Sequence, residues 1–357
     1  MVVGTRPNLV KAAPVYDALA AEPGVCVRIA HTGQHYDPNM DSQVAKSLSL
    51  PEPAWKTSTH SSGFEETHRW LVGLFQSERP SAVIVIGDVN STLHAANAAK
   101  EAGCTLVHVE AGLRSRDLTM PEERNRIAVD KIADLLLVSE PAGMENLRSE
   151  AVCGHSVLVG SCTVDALVRQ LEKARHSTVL ENLGLRPQSY ILCTMHRPAN
   201  ADDREKLSQI VRLLIVAARH TRRQVVWPIH PRTLGRLHEY GIQIPAEHLM
   251  VIEPLDYSEF TRLMQEAALV LTDSGGIQEE TTYLGVRCIT FRDSTERPIT
   301  IEKGTNDLLP TLDQAQLVML LGSAKPGGPV EYWDGKAARR CARALMEFLR
   351  GHTASKR

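Results

Sequence analysis

Residues 270–280, VLTDSGGIQEE, decide how the chain is read. The apolar run at 267–271 reads as a buried strand, with Thr272, Asp273 and Ser274 at its carboxyl end. Gly275 and Gly276 follow, then the helix-like IQEETTYLG. Paired glycines between a strand and a helix let backbone approach a ligand closely, and the free N–H groups and dipole of the helix favour an anion there. Glu280, inside the first two turns, sits where a carboxylate could accept hydrogen bonds from ribose hydroxyls. The same residues also fit an ordinary strand–turn–helix joint capped by Asp273 or Ser274.

The neighbouring segments repeat this grammar. Downstream of residue 188, the stretches YILCTMHRPAN, QVVWPIHPR, LMVIEPLDYSEF, ALVLTDSGG and RCITFRDSTERP are apolar strands that each end in polar or turn residues. Upstream, AVIVIGD delivers Asp88 and LVHVEAG delivers Glu110 at a strand end. Continuous apolar strands with polar tips belong to parallel sheets covered on both faces, and ligands gather at the carboxyl ends of such strands. Two successive arrays of this kind give an α/β chain of two Rossmann-like, doubly wound domains facing a cleft. We expect them over 1–167 and 168–357, with the last amphipathic helix, KAARRCARALMEFLR, able to pack back on the first domain.

Near the start, Met1-Val2-Val3 makes a shorter strand than the usual five to six or so residues, which points to a few apolar residues ahead of it. GTRPNLVKAAPVYDALA follows as a turn and a helix, with Leu9, Val10, Ala13 and Leu19 among its apolar positions. Arg6 in the turn and Lys11 one turn in form a positive pair beside a helix N-terminus, a phosphate-seeking arrangement or simply two solvated cations. VCVRIAHTGQH reads as a second strand, and helical stretches follow from Met40 and from Gly63. PEERNR brings Glu122, Glu123 and Arg126 ahead of a further helix and strand.

Composition narrows the function classes. At 43% hydrophobic and 23% charged residues the chain is an ordinary soluble globular protein. Its formal net charge of -2 offers nothing to nucleic acid or an anionic membrane. No run approaches the roughly 18 apolar residues of a membrane span. Seven cysteines without paired spacing fit reduced thiols in a cytoplasmic protein. His31 and His35 lie on a strand-to-loop segment rather than one helix face, so no zinc site is expected. No G-x-G-x-x-G, Walker lysine or G-x-S-x-G pattern is present, which disfavours dinucleotide, ATP and serine-hydrolase chemistry. Asp88, Glu110 and Glu122 are better read as acid/base groups, because mutual repulsion and burial move carboxyl pKa values toward neutrality.

Together the blocks GTRPNLVKAAPV, TGQH, IGDVNST, HVEAGLRS, PEERNR, TMHRPAN, PIHP, EPLDYSEF, TDSGGIQEE and RDSTERP resemble the bacterial non-hydrolysing UDP-N-acetylglucosamine 2-epimerases. They run in family order from Gly4 to Pro298. The resemblance implies a glycosyltransferase-B type fold, a homodimer, a UDP-sugar and UDP as ligands, and no cofactor or metal. It assigns UDP binding to Arg6, Lys11, His230, Ser274, Gly275, Gly276 and Glu280, and acid/base roles to Asp88, Glu110, Glu122 and His196. Arg114, Arg126 and Arg297 match arginines that hold charge at the cleft. The implied reaction is inversion of carbon 2 by elimination and re-addition of UDP, taking UDP-N-acetylglucosamine to UDP-N-acetylmannosamine. A nucleotide-sugar hydrolase or glycosyltransferase-like enzyme on the same fold is the alternative.

The sequence departs from the family pattern at Asn8, where Glu is usual, in VNST after Asp88, at Ser161-Cys162, and at Pro198-Ala199 in place of Arg-Glu. Some members bind a second UDP-N-acetylglucosamine through that missing Arg, so we expect this chain to lack substrate activation. The sugar remains open.

Overall fold

The computed structural model describes residues 1–33, 48–57 and 64–354; the helix expected from Met40 and the residue His35 lie outside them. The chain divides into two compact units, Met1–Ala166 with Glu331–Arg357, and Leu167–Val330.

The first unit holds seven strands among its described residues. β1 (Val2–Val3), β2 (Ala30–His31) and β3 (Trp55–Lys56) pair in parallel in that order. β4 (Val83–Ile86), β5 (Leu106–Ala111), β6 (Leu135–Val138) and β7 (His155–Leu158) do the same. Every residue of β4, β5 and β6 is buried, as strands covered on both faces require; β4 and β6 are unbroken apolar runs, while β5 also buries His108 and Glu110. The strand expected from Val25 pairs only at Ala30–His31, because its neighbour β1 offers just Val2 and Val3 as partners. A second correction concerns PEERNR. Pro121 opens the helix Pro121–Ile132, so Glu122 and Glu123 occupy its first turn and do not precede it.

The terminal segment Glu331–Arg357 belongs to this first unit, whereas the division at 167/168 assigned it to the second. The reason is a set of polar contacts spanning about half the chain. Asp165 accepts hydrogen bonds from the N–H groups of Ala337 (3.0 Å) and Ala338 (2.7 Å) at the start of the helix Ala337–Ala354. Trp333 Nε1 donates to the Ser139 carbonyl at 3.0 Å. A carboxylate at a helix N-terminus satisfies orphan donors and complements the dipole.

The second unit is one six-stranded parallel sheet: β8 (Tyr190–Thr194), β9 (Gln224–Pro228), β10 (Leu249–Ile252), β11 (Leu269–Thr272), β12 (Cys288–Thr290) and β13 (Asn306–Leu308). Its spatial order, β10-β9-β8-β11-β12-β13, is that of a dinucleotide-type Rossmann sheet and reverses between β8 and β11. Alternation along the strands feeds two cores. Ile191, Cys193, Val225, Trp227, Leu269 and Leu271 join one face, and Tyr190, Leu192, Val226 and Val270 the other. Full burial of each such aliphatic side chain is worth about 1.5–3 kcal/mol, which fixes the register. Among the described residues no helix is long and apolar enough to cross a membrane.

Candidate active site

In the first unit the candidate residues Asp88 and Glu110 sit at the carboxyl ends of β4 and β5. β4 runs into Gly87, at φ +69°, and then Asp88. Glu110, near the end of β5, is 8% exposed and lies at φ +71°. A left-handed conformation costs a non-glycine residue about 1–2 kcal/mol. The strain coincides with a register shift against β6 between Val109 and Ala111, a bulge that turns the Glu110 side chain out of the strand's alternation. Lys11 Nζ, from the helix Arg6–Ala20, donates to Glu110 Oε2. A Cβ added at Gly87 would stand 3.3 Å from that same Oε2, so the Asp88 turn and the Glu110 carboxylate are adjacent. Asn8 locks the arrangement: Nδ2 donates to the Ile86 carbonyl at 2.9 Å, and Oδ1 accepts from Thr5 Oγ1 at 3.1 Å. An amide suits this buried position because it must both donate and accept.

Asp88, half-buried, receives a hydrogen bond from Arg126 Nη1. Arg126 also donates twice to Glu123, at 3.1 and 2.7 Å. Glu123 in turn accepts from the N–H groups of Ser115 and Arg116, each at 2.9 Å. Burial alone would raise the Glu123 pKa, but those amides and Arg126 hold it below the usual carboxylate range, as suits a structural anion. Glu122 differs from its neighbour. It is half-buried, four residues before Arg126 on the same helix face, and makes no side-chain hydrogen bond or ion pair among the described residues. Arg6 is exposed at the start of its helix. Arg114, expected to hold charge at the ligand, turns inward instead: it donates to Asp130 (2.7 Å), to Glu150 (2.8 and 2.7 Å) and to the Leu113 carbonyl (2.8 Å).

In the second unit the groups gather where the strand order reverses. Asp273, fully buried after β11, reaches across to the end of β8. Its oxygens accept from the N–H of His196 (3.2 Å to each), the N–H of Arg197 (2.9 Å) and Asn200 Nδ2 (3.1 Å), and His196 Nδ1 is 3.4 Å away. The His196 ring itself is half exposed. Because Asp273 is spent on β8 and the Ser274 hydroxyl makes no capping bond, neither residue caps the helix Gly275–Leu284. Its first amides therefore have no side-chain cap, as an anion site at this joint would require.

Gly275 has a further reason to be glycine. A Cβ there would meet Arg297 Nη1 and Glu296 Oε1, both at 2.6 Å. Arg297 is buried against the helix, donating to Glu279 (2.7 Å) and Glu296 (2.6 Å), while Arg292 donates to Glu296 at 2.7 Å. Burial works against the Glu296 charge, yet Arg297, Arg292 and Arg197 hold its pKa well below the usual carboxylate range. Glu280 is buried and accepts from Tyr257 Oη at 2.5 Å. His230 caps the helix Pro231–Glu239, its Nδ1 accepting from the Arg232 N–H at 3.2 Å.

Asn8, Glu123, Tyr257 and Glu296 lie inside the motif blocks but were given no role there, and Asp130 lies outside every block. The buried His108 gave one signal, a second titratable side chain beside Glu110 in a strand whose other residues are apolar. Among the described residues no cluster of His, Cys, Asp and Glu could hold a metal ion.

Comparison with known proteins accounts for nearly the whole chain. A family model described as UDP-N-acetylglucosamine 2-epimerase matches residues 17–346. The UDP-N-acetylglucosamine 2-epimerase of Methanocaldococcus jannaschii is 36% identical over 363 aligned residues, 97% of this chain and 98% of that protein. The UDP-2,3-diacetamido-2,3-dideoxy-D-glucuronate 2-epimerase of Pseudomonas aeruginosa is 35% identical, over 97% of this chain and 99% of that one. The crystal structure of the Methanocaldococcus jannaschii enzyme in complex with UDP-GlcNAc and UDP superposes with a TM-score of 0.88 at 34% identity, over 97% of this chain and 98% of that chain. The likeness takes in both Rossmann-like units, which is the glycosyltransferase-B plan.

Proposed function

The chain belongs to the UDP-N-acetylglucosamine 2-epimerase family of isomerases, and on that premise we propose that it inverts carbon 2 of UDP-N-acetylglucosamine to give UDP-N-acetylmannosamine. In this reading the bond from sugar carbon 1 to the diphosphate breaks as a carboxylate takes the proton from carbon 2. UDP then re-adds to the unsaturated sugar while a proton returns on the opposite face. That proton is weakly acidic, so departure of the diphosphate has to be stabilised as its charge grows. The uncapped amides of the helix Gly275–Leu284, with Ser274, Gly275 and Gly276, supply that stabilisation, aided by Arg6 and His230. Glu280 takes the ribose, and Asp88, Glu110, Glu122 and His196 share the proton transfers.

The observation that carries the proposal is Glu110: a buried carboxylate on strained backbone beside the Asp88 turn, with Lys11 as its counter-ion. Strain of this kind persists where it serves a site, and the Lys11 ammonium places an opposite charge against that carboxylate. The sugar is the finer question, since one relative acts on a diacetamido-glucuronate. Incubating the protein separately with UDP-N-acetylglucosamine and with UDP-2,3-diacetamido-2,3-dideoxy-D-glucuronate, and separating products by ion-exchange chromatography, tests it. The expected result is an epimer from the first only, with turnover cut about 100-fold or more in Glu110→Gln and in Glu122→Gln and UDP affinity kept. An epimer from the second only would overturn the substrate, and full turnover in either variant would make that carboxylate structural.

A further inference from the structure

His108 is fully buried in β5, two residues before Glu110. Its Nδ1 lies 2.7 Å from Asp130 Oδ1, and its Nε2 lies 2.9 Å from the Gly87 carbonyl oxygen. A carbonyl only accepts, and so does an ionised carboxylate. A neutral imidazole has one N–H and would turn a lone pair toward one of these oxygens. An imidazolium has a donor for each. Asp130 is held in its charged form by its other oxygen, which accepts from Arg114 Nη1 at 2.7 Å and from the Gly112 N–H at 3.0 Å.

These contacts make Asp130 a common anchor for two turns. Through Gly112 it fixes the backbone that follows the Glu110 bulge, and through His108 it fixes the Gly87 carbonyl that precedes Asp88. Resting on the function proposed above, we propose that His108 is a permanently charged positioning residue that sets the spacing between Asp88 and Glu110. It touches neither carboxylate directly but clamps the backbone that carries both.

The surrounding charges are balanced. Asp130 faces the ring from the helix Pro121–Ile132 and Glu110 from the ring's own strand. Behind them, Arg114 pairs with Asp130 and Glu150, and Lys11 pairs with Glu110. Three cations therefore meet three anions, so a charged ring leaves no net charge uncompensated. Burial pulls the His108 pKa down, yet the Asp130 charge and hydrogen bond, the Gly87 carbonyl and Glu110 leave it raised overall. Asp130 is lowered in spite of its burial, by His108 and Arg114.

Long-range proton–nitrogen spectra of the full-length protein labelled with nitrogen-15 histidine, taken between about pH 6 and 9, read the ring directly. One imidazole is expected to keep both nitrogens protonated well past the titration of an ordinary histidine, and to vanish in His108→Gln or shift in Asp130→Asn. A neutral tautomer for that ring at pH 7 overturns the proposal. With UDP-N-acetylglucosamine as substrate, His108→Gln is expected to lose about 10- to 100-fold in kcat with little change in KM. The acid limb of its pH profile should move to higher pH, because a cation near Glu110 has gone. A folded variant with wild-type kcat and an unmoved limb overturns it equally. Should His108→Gln not fold, Asp130→Asn serves the kinetic arm. Should this substrate not react at all, the function reading fails while the spectra still decide the charge on His108.

Discussion

Asp273 offers the sharpest test of how the second unit is built around the turn at residues 274–276. Replacing it with Ala strips the acceptor from three buried or half-buried donors: the N–H groups of His196 and Arg197 and the Asn200 amide. Each donor left without a partner costs roughly 1–3 kcal/mol, and water entering the vacated space recovers part of this, so a loss of about 3–6 kcal/mol is expected. Asp273→Asn behaves differently. Its oxygen can keep the Oδ2 position, retaining Arg197 at 2.9 Å and Asn200 at 3.1 Å, while its NH2 turns toward His196 Nδ1, 3.4 Å from Oδ1. The His196 N–H keeps the Oδ2 partner at 3.2 Å but faces the new NH2 in place of Oδ1, so charge assistance and one shared bond are lost, about 1–3 kcal/mol in total. Urea titrations of the full chain measure both variants. Amide-exchange mass spectrometry of peptides from β8 and β11 assigns the transition to the second unit and should show His196 and Arg197 losing protection in Asp273→Ala. The reasoning is refuted if Asp273→Ala stays within about 1 kcal/mol of the parent, or if Asp273→Asn falls as far as Ala does.

Three further predictions stand on separate features. The depressed Glu296 pKa means that its charge adds stability fully present above the unfolded carboxylate value of about 4.3 and lost as pH falls toward the folded value. Glu296→Gln should therefore be less stable than the parent at neutral pH, and the gap should narrow below about pH 4; a constant gap in acid denaturation would contradict this. Gly275→Ala puts a methyl 2.6 Å from both Arg297 Nη1 and Glu296 Oε1, so the pair must move. A stability loss of about 1–3 kcal/mol and UDP affinity weakened about tenfold are expected by calorimetry, against unchanged values if the pair is irrelevant to the turn. Finally, Pro198 and Ala199 carry no guanidinium, and Arg232 is already paired with Asp202. Initial rates against substrate concentration are expected to be hyperbolic, and a sigmoidal curve would show that another cation supplies substrate activation.

The parts of this fold that were legible in the sequence are those that local patterning dictates. Val83–Ile86 and Leu269–Thr272 are apolar without interruption because both faces of their sheets are covered, and each hands its polar residues to the strand's carboxyl end. The VLTDSGGIQEE joint announced its geometry in the same way, although the reason for Gly275 lies in Arg297 and Glu296, some twenty residues on. What the sequence hid depends on distant partners. The apolar residues from Val25 suggested a full strand, but only two have a neighbour to pair with. An amphipathic stripe told that the last helix docks and could not say that Asp165, 172 residues earlier, receives it. Glu122 and Glu123 are chemically alike, and only the amides of Ser115 and Arg116 mark the second as structural. His108 and Asp130 are 22 residues apart, so their pairing was invisible until the strand and helix met.

The central claim is proton exchange at carbon 2 of a UDP-sugar, and deuterium reports it most directly. The protein is incubated with UDP-N-acetylglucosamine in deuterium oxide and carbon 2 is followed by NMR. The account requires the manno epimer to appear with deuterium at carbon 2, the recovered starting material to acquire deuterium as the reaction reverses, and Glu110→Gln to do neither. An epimer that retains protium at carbon 2, or free UDP released without any epimer, would contradict it.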